Sequence, residues 1–249
     1  MSAQKVTAVV LTITPYRETS CILRLFTHSH GLVHGIVKGA RKDGKSVPLD
    51  RGFLLEMLLY YKPNRELHML GALHVTEFFP GLRTDILRPA LRDIALELYL
   101  KSITQSEPHP ELFDLLTSFL KNLESVKQGF VFPLLWHFIN KYCSLAGFGI
   151  AVEKCPECGA DILKKGGILD IAAGVLICKK CAPVRTHTQA CLDAYVISFL
   201  DKIETDESVR LKNYECLRIT ELLLLYCRHH FDIRKDFNSL GFVKTMLGQ

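Results

Sequence analysis

Near residue 80 the hydrophobic period of this chain changes, and the change divides it into two kinds of structure. Before that point, "KVTAVVLTIT", "SCILRLFT", "GLVHGIVKG", "FLLEMLLYY" and "ELHMLGALHV" are apolar and rich in β-branched or aromatic residues, with Pro, Gly, Asn and Asp between them. Five strands in so short a span leave open edges unless the sheet closes on itself, and a five-stranded OB-type barrel is the economical closure. Beyond "FFPGL" the spacing becomes helical. Ile86, Leu91, Ile94, Leu98 and Ile103 fall on one face, and Leu112, Leu116, Phe119, Leu120 and Leu123 follow Pro110. Trp136, Ile139 and Cys143 follow Pro133, and two further helices are expected near 188–203 and 208–231. The expected class is α+β: an OB-fold barrel over 1–80, then a helical domain over 81–249 with an insertion at 152–185.

The insertion holds "CPECG" and "CKKC", which together read C-x2-C-x19-C-x2-C. Each C-x-x-C turn can aim two thiolates at one point, and two such turns complete the S4 shell that suits one structural zinc ion. Cys155, Cys158, Cys178 and Cys181 are therefore the expected ligands. The spacer "DILKKGGILDIAAGVLI" alternates apolar segments with Gly-Gly and Ala-Gly turns, as a ribbon of short strands does. A redox dithiol needs a single C-x-x-C beside a βαβ unit, which this sequence lacks, and a catalytic zinc needs an open position that four thiolates close. His187 is unnecessary as a fifth ligand. Cys21, Cys143, Cys191, Cys216 and Cys227 lie in apolar periodic segments and read as core residues.

Charge is unevenly placed. Residues 1–80 carry ten Lys/Arg against six Asp/Glu, whereas the rest carry twenty-one against twenty, so most of the net +5 sits in the first third. That is where a polyanion is drawn. Much of it lies in "GIVKGARKDGKS", residues 35–46, where Gly39 and Gly44 free the backbone for close approach. Lys38, Arg41, Lys42 and Lys45 belong to this stretch. Arg24 and His34 belong to the preceding strands, Arg17 to the earlier turn "TPYRETS", and Tyr16, Phe26 and Phe53 supply aromatic rings. Strand-borne positives, a basic loop and aromatics are what a backbone-tracking single-strand binder needs.

The letters "GARKDGKS" also match G-x-x-x-x-G-K-[ST], but a phosphate loop must open a helix. Pro48 and "LDRGF" follow at once and then another strand-like run, which opposes that reading. Two alternatives stay in view: a nucleotide-binding enzyme that uses this loop, and a zinc-ribbon adaptor that binds only protein. The N-terminus lacks the pattern of a signal peptide, and the apolar runs are too short to span a bilayer, so no membrane association and a cytoplasmic address are expected.

Residues 8–42, "AVVLTITPYRETSCILRLFTHSHGLVHGIVKGARK", closely resemble the opening of the bacterial RecO family of recombination mediators. The resemblance rests on Tyr16, Glu18, Thr19, Phe26, Thr27, Gly31, Leu32 and Lys38 to Arg41. It continues through a strand ending "YY", and "AGFGI…CPECG" with the later "CKKC" is similar to zinc-bearing members. The resemblance implies an N-terminal OB fold, a helical C-terminal domain with a zinc element, and no enzymatic activity. It further implies binding of single- and double-stranded DNA, annealing of complementary strands, and work with RecR that helps RecA replace the single-stranded-DNA-binding protein. It implies recognition of that protein's acidic, apolar C-terminal tail by the helical domain, and a bacterial, nucleoid-associated setting.

Overall fold

In the computed structural model, residues 3–41, 48–104, 107–182, 189–202 and 211–248 are described. The chain divides into two compact units, one ending at Glu124 and the other starting at Ser125.

The first unit is built on β1 (Ala3–Tyr16), β2 (Ser20–Thr27), β3 (Gly31–Val37), β4 (Leu54–Tyr60) and β5 (Leu67–Glu77), closed in the order β1-β2-β3-β5-β4. β3 and β5 run parallel, and the other neighbours are antiparallel. Closure depends on β1. Its first half pairs with β4 and its second half with β2, with a register shift between Val10 and Thr12 that bends the strand from one partner to the next. This is the five-stranded Greek-key barrel of the OB fold. Alternate residues point inward: Val6, Ala8, Leu23, Leu25, Val33, Val37, Leu55, Met57, Leu59 and Leu70 fill the interior. Each large side chain buried in this way contributes about 1.5–3 kcal/mol. Gly35 also meets Leu70 of the neighbouring strand β5, where an added Cβ would lie 2.4 Å from the Leu70 side chain.

Helices α1 (Leu87–Ser102) and α2 (Pro110–Ser125) follow a short 3-10 turn at Pro80–Arg83. Tyr99 of α1 donates its hydroxyl to the Leu112 carbonyl (2.7 Å), and Arg88 donates to the Leu123 carbonyl (2.6 Å), so α1 is held against α2. Pro110 opens α2 as its sequence position predicts. Ile86 departs from the expected apolar face: it precedes the helix and is exposed.

The second unit is organised by α3 (Val131–Leu145), buried on most sides. It starts two residues before Pro133, which sits in the first turn where a missing N–H costs nothing. Trp136 donates its indole N–H to Thr220 Oγ1 (2.9 Å) on α5 (Asn213–His230). Asn140 donates to the Leu200 carbonyl (3.2 Å) at the end of α4 (Ala194–Asp201) and accepts the Ile150 N–H (3.0 Å). A small sheet, β7-β6-β8, is made of β6 (Gly167–Asp170), β7 (Val175–Ile177) and β8 (Gln189–Leu192). The helix expected from 188 thus begins only at Ala194. The apolar run 190–192 suits either period, and pairing with β6 makes it the ribbon's third strand. A final helix, α6 (Asn238–Met246), escaped the sequence reading. Among the described residues no helix is long and apolar enough to cross a membrane.

Candidate nucleic-acid interface and metal centre

Pairing across β2, β3 and β5 lines up outward-facing side chains in rows. One row is Arg24, His34 and Leu67; the next is Ile22, Ile36 and Met69. Leu67 and Met69 are exposed, and Ile22 and Ile36 are partly so. The barrel therefore carries an apolar strip on the face formed by β2, β3 and β5.

Cationic groups bracket this strip. At one end lies an open cavity of about 750 Å³ lined by Tyr16, Arg17, Thr19, Ile36, Lys38 and Gly39, with Glu18 its one carboxylate among the described residues. The Arg17 guanidinium lies 5.2 Å from the centroid of the Tyr16 ring. Arg17 itself adopts φ +53°, a left-handed conformation that non-glycine residues rarely hold. Arg41 reaches back to donate to the carbonyls of Arg17 and Glu18, and its N–H donates to the Thr19 carbonyl (2.9 Å). Arg17, Lys38 and Arg41 are thus brought together by two connections, β1–β2 and the start of β3–β4.

At the other end Arg24 Nε donates to His34 Nε2 (3.2 Å), which places the imidazole proton on Nδ1. Burial, followed by the Arg24 charge, pushes the His34 pKa down, while Glu66 acts the other way. His34 accordingly stands beside Arg24 as a neutral acceptor rather than as a second cation. Tyr61 stacks on His68 with ring centroids 4.7 Å apart and meets His30 at 5.0 Å. Arg65 lies on the adjoining β4–β5 connection and lines a separate cavity with Arg24, His34 and Tyr61.

Two of the three aromatics expected to stack bases are taken up by the core. Phe26 is fully buried, with Tyr99 at 5.0 Å and Phe113 at 6.3 Å, and Phe53 is buried as well. Phe26 does share the outward strand face with Arg24, but α1 and α2 cover it. Lys42 and Lys45 lie outside the described residues, as does His187. The structure adds Tyr61, Arg65, Leu67 and Met69 to this face. The first two belong to "YYKPNR", whose turn chemistry was legible while its proximity to β3 was not. Among the described residues no helix lies between β3 and β4: the chain turns at Arg51–Gly52 and enters β4 at Leu54. Residues 48–50, where a helix opened at Lys45 would continue, are irregular, which opposes the phosphate-loop reading.

In the second unit the two C-x-x-C turns meet. The Sγ atoms of Cys155, Cys158, Cys178 and Cys181 all lie within 4.8 Å of one another, with Cys158 and Cys178 at 3.7 Å. Ligands 2.3 Å from a tetrahedral ion stand about 3.8 Å apart, so that separation suits zinc. Each turn is closed by its own backbone: Gly159 N–H donates to the Cys155 carbonyl (2.8 Å), and Ala182 N–H to that of Cys178 (3.1 Å). Gly159 adopts φ +70°, as a tight turn after the second ligand requires. The Cys178 amide donates to Cys155 Sγ (3.4 Å), and this with the amides of Cys158 and Glu157 brings the Cys155 pKa down to about 6. Backbone donors, chiefly from Cys181, lower that of Cys178 as well. The neighbouring sulfurs of Cys158 and Cys178 push Cys181 up to about 12. A divalent metal ion bound by such a set would displace its remaining thiol protons to solvent, and the four sulfurs fit one. Cys21, Cys143, Cys216 and Cys227 are buried as expected, and Cys191 is half-buried.

A closed OB barrel joined to helices that carry a four-cysteine ribbon defines a modular, barrel-plus-helical class of protein. Residues 1–79 match the family description "Recombination protein O N terminal", and residues 83–237 match "Recombination protein O C terminal". A DNA repair protein RecO of Syntrophobacter fumaroxidans is 27% identical over 252 residues, covering 98% of each chain. One from Geobacter sulfurreducens is 30% identical over 195 residues, covering 73% of this chain and 75% of its own. Another, from Chlorobium phaeobacteroides, is 29% identical over 247 residues, covering 91% and 93%. The chain belongs to the RecO family of DNA repair proteins, and its role lies in recombination and repair.

Proposed function

We propose that this protein is a non-enzymatic recombination mediator that binds DNA along the outer face of β2, β3 and β5. It anneals complementary single strands there and helps RecA load with RecR, in the bacterial cytoplasm at the nucleoid. The observation that carries the reading is the apolar strip of Ile22, Ile36 and Met69, bracketed by Arg17, Lys38 and Arg41 at one end and Arg24 at the other. The strand 2–3 face with its flanking loops is where OB folds take oligonucleotides. Cations hold phosphates without reading sequence, and apolar side chains accept unstacked bases. Lys42 and Lys45 extend the same basic stretch in the sequence, and Arg24 with its neutral partner His34 fixes the far end. Double-stranded DNA would engage chiefly the phosphate contacts.

The four cysteines would hold one structural zinc ion, which fastens the ribbon and supplies no chemistry. The helical unit would take the acidic, apolar tail of the single-stranded-DNA-binding protein. Support comes from a groove of about 400 Å³ between β8 and α5, lined by Leu192, Ile219, Leu222 and Leu225 with Arg218 at hand. The deciding measurement is a salt titration of binding to a single-stranded oligonucleotide. A steep linear fall of log affinity with log salt is expected; no binding at low salt would reject the proposal. An ATPase rate that disappears in Lys45→Ala would instead favour the phosphate-loop enzyme.

A further inference from the structure

Beside the Arg24–His34 pair the first unit holds a second cavity, of about 680 Å³, between β3, the β4–β5 connection and the end of α1. Pockets of roughly 300–1,000 Å³ with an apolar floor and a few convergent polar groups are the usual form of a small-ligand site. This one has that size, and polar groups line more of it than apolar ones. Leu32, Ile103 and the Tyr61 ring give it apolar walls; Arg24, Arg65 and Asn64 supply donors, Glu66 adds one carboxylate, and Lys101, paired with Glu97 at 3.4 Å, lies on the α1 side. Leu32 and Ile103 are buried, so the floor is fixed by the core. Tyr61 is held in place by its stack on His68, which also accepts the Lys62 N–H at 3.3 Å.

The geometry points to this cavity as a receptor for a single nucleotide turned out of the bound strand. Its base would lie against Leu32, Ile103 and Tyr61, with its phosphate toward Arg24 and Arg65. The inference rests on the proposed DNA-binding reading and deepens it. Position is the main reason: the cavity borders the row of Arg24, His34 and Leu67, so a strand crossing that face reaches its mouth. Chemistry is the other. A surface that only tracked the backbone would need cations but no recessed apolar side chains, whereas a base removed from its stack needs both. Holding one base aside also keeps a bound strand from stacking continuously, leaving its neighbours free to meet a complement.

The test uses the full-length protein and an oligothymidylate carrying 5-iodouracil, cross-linked by light and mapped by mass spectrometry. Cross-links to Tyr61 or to the peptide containing Ile103 are expected. Thr104→Trp, which places a bulky ring at the exposed rim, should abolish them, weaken binding about tenfold and lower the salt slope by about 0.7 for the phosphate that leaves Arg24 and Arg65. Cross-links confined to Ile36 and Met69, with Thr104→Trp binding as the natural protein does, would overturn the cavity assignment and spare the wider DNA-binding reading. Failure to bind the oligonucleotide at low salt would reject both. Binding with a normal salt slope but no preference for thymidylate over a sugar–phosphate strand lacking bases would reject both the cavity and the apolar strip as base sites and leave only the phosphate contacts.

Discussion

The guanidinium of Arg41 donates to the carbonyl of Glu18, 3.0 Å away, and so ties the start of the β3–β4 connection to the β1–β2 turn. The residue that brings charge to this end of the barrel also holds the turn that presents Arg17. Lys38 has no such task among the contacts described. Replacing each by Ala should therefore separate charge from order. Lys38→Ala should reduce the salt slope for single-stranded DNA by about 0.7 if it contacts one phosphate. Arg41→Ala should do the same and weaken binding further, because Arg17 loses its anchor. Arg41→Lys should keep the slope but not the anchoring, since an ammonium lacks the planar fork. Equal behaviour of Lys38→Ala and Arg41→Ala would count against this division.

Zinc content is the check on the ribbon. About one zinc per chain is expected after chelator-free, reducing purification, with loss of most of it in Cys178→Ser. His230 Nε2 lies 2.9 Å from the Ile171 carbonyl and so links the ribbon to α5. Hydrogen exchange in Cys178→Ser should therefore quicken over 155–181 and at the end of α5, while the barrel amides stay protected.

The pairing of Trp136 with Thr220 tests the helical core. Both residues are fully buried, and Thr220 Oγ1 accepts the indole N–H while donating to the Cys216 carbonyl (2.7 Å). Thr220→Val keeps the shape but strands the indole donor, at a cost of about 1–3 kcal/mol. Thr220→Ser should recover much of that in urea denaturation. Equal midpoints for the natural protein and Thr220→Val would refute the assignment.

Stability should also depend on pH through the histidines beside the second cavity. Burial lowers the pKa of His30, His34 and His68 in the folded state; Arg24 adds to it at His34, and His30 and His34 add to it at His68. Glu66 opposes the shift at His34. The folded chain therefore binds fewer protons than the unfolded one once the pH drops to the ordinary value near 6.5. Stability from this cluster is complete above that pH and declines as the pH falls through it toward the lower folded values. His34→Gln should flatten the decline between pH 7.5 and 5 in urea titrations; an unchanged profile would rule out His34 as a contributor.

Sequence alone disclosed a small closed barrel because period-2 runs with turn residues between them leave open edges unless the sheet closes, although other small barrels fit the same period, and it disclosed the cluster of four cysteines because their spacing is chemical rather than topological. Gly31 shows a middle case. It was legible as part of the family pattern, yet its reason is spatial: it adopts φ +60°, and an added Cβ would lie 2.0 Å from the Glu107 carbonyl oxygen. Gly31→Ala should cost at least about 2 kcal/mol, a drop readable in thermal denaturation. Phe26 was out of reach, since alternation puts it outward and only the packing of α1 and α2 buries it. Strand β8 was missed because three apolar residues fit either period, and its partner β6 lies more than a dozen residues earlier. Arg65 and Tyr61 join the site through the parallel pairing of β3 with β5, a contact that no local pattern encodes.

That parallel pairing also sets an order of assembly during synthesis. β1, β2 and β3 are consecutive antiparallel neighbours and can pair as a meander once they are synthesised, but β3 must wait for β5 and β1 must wait for β4 before either outer edge is covered. A nascent chain stalled in the β3–β4 connection therefore presents two bare strand edges and a half-built apolar interior, the kind of surface that chaperones hold and that otherwise aggregates. The segment that carries the basic loop is thus also the stretch where translation speed governs how long the barrel stays open.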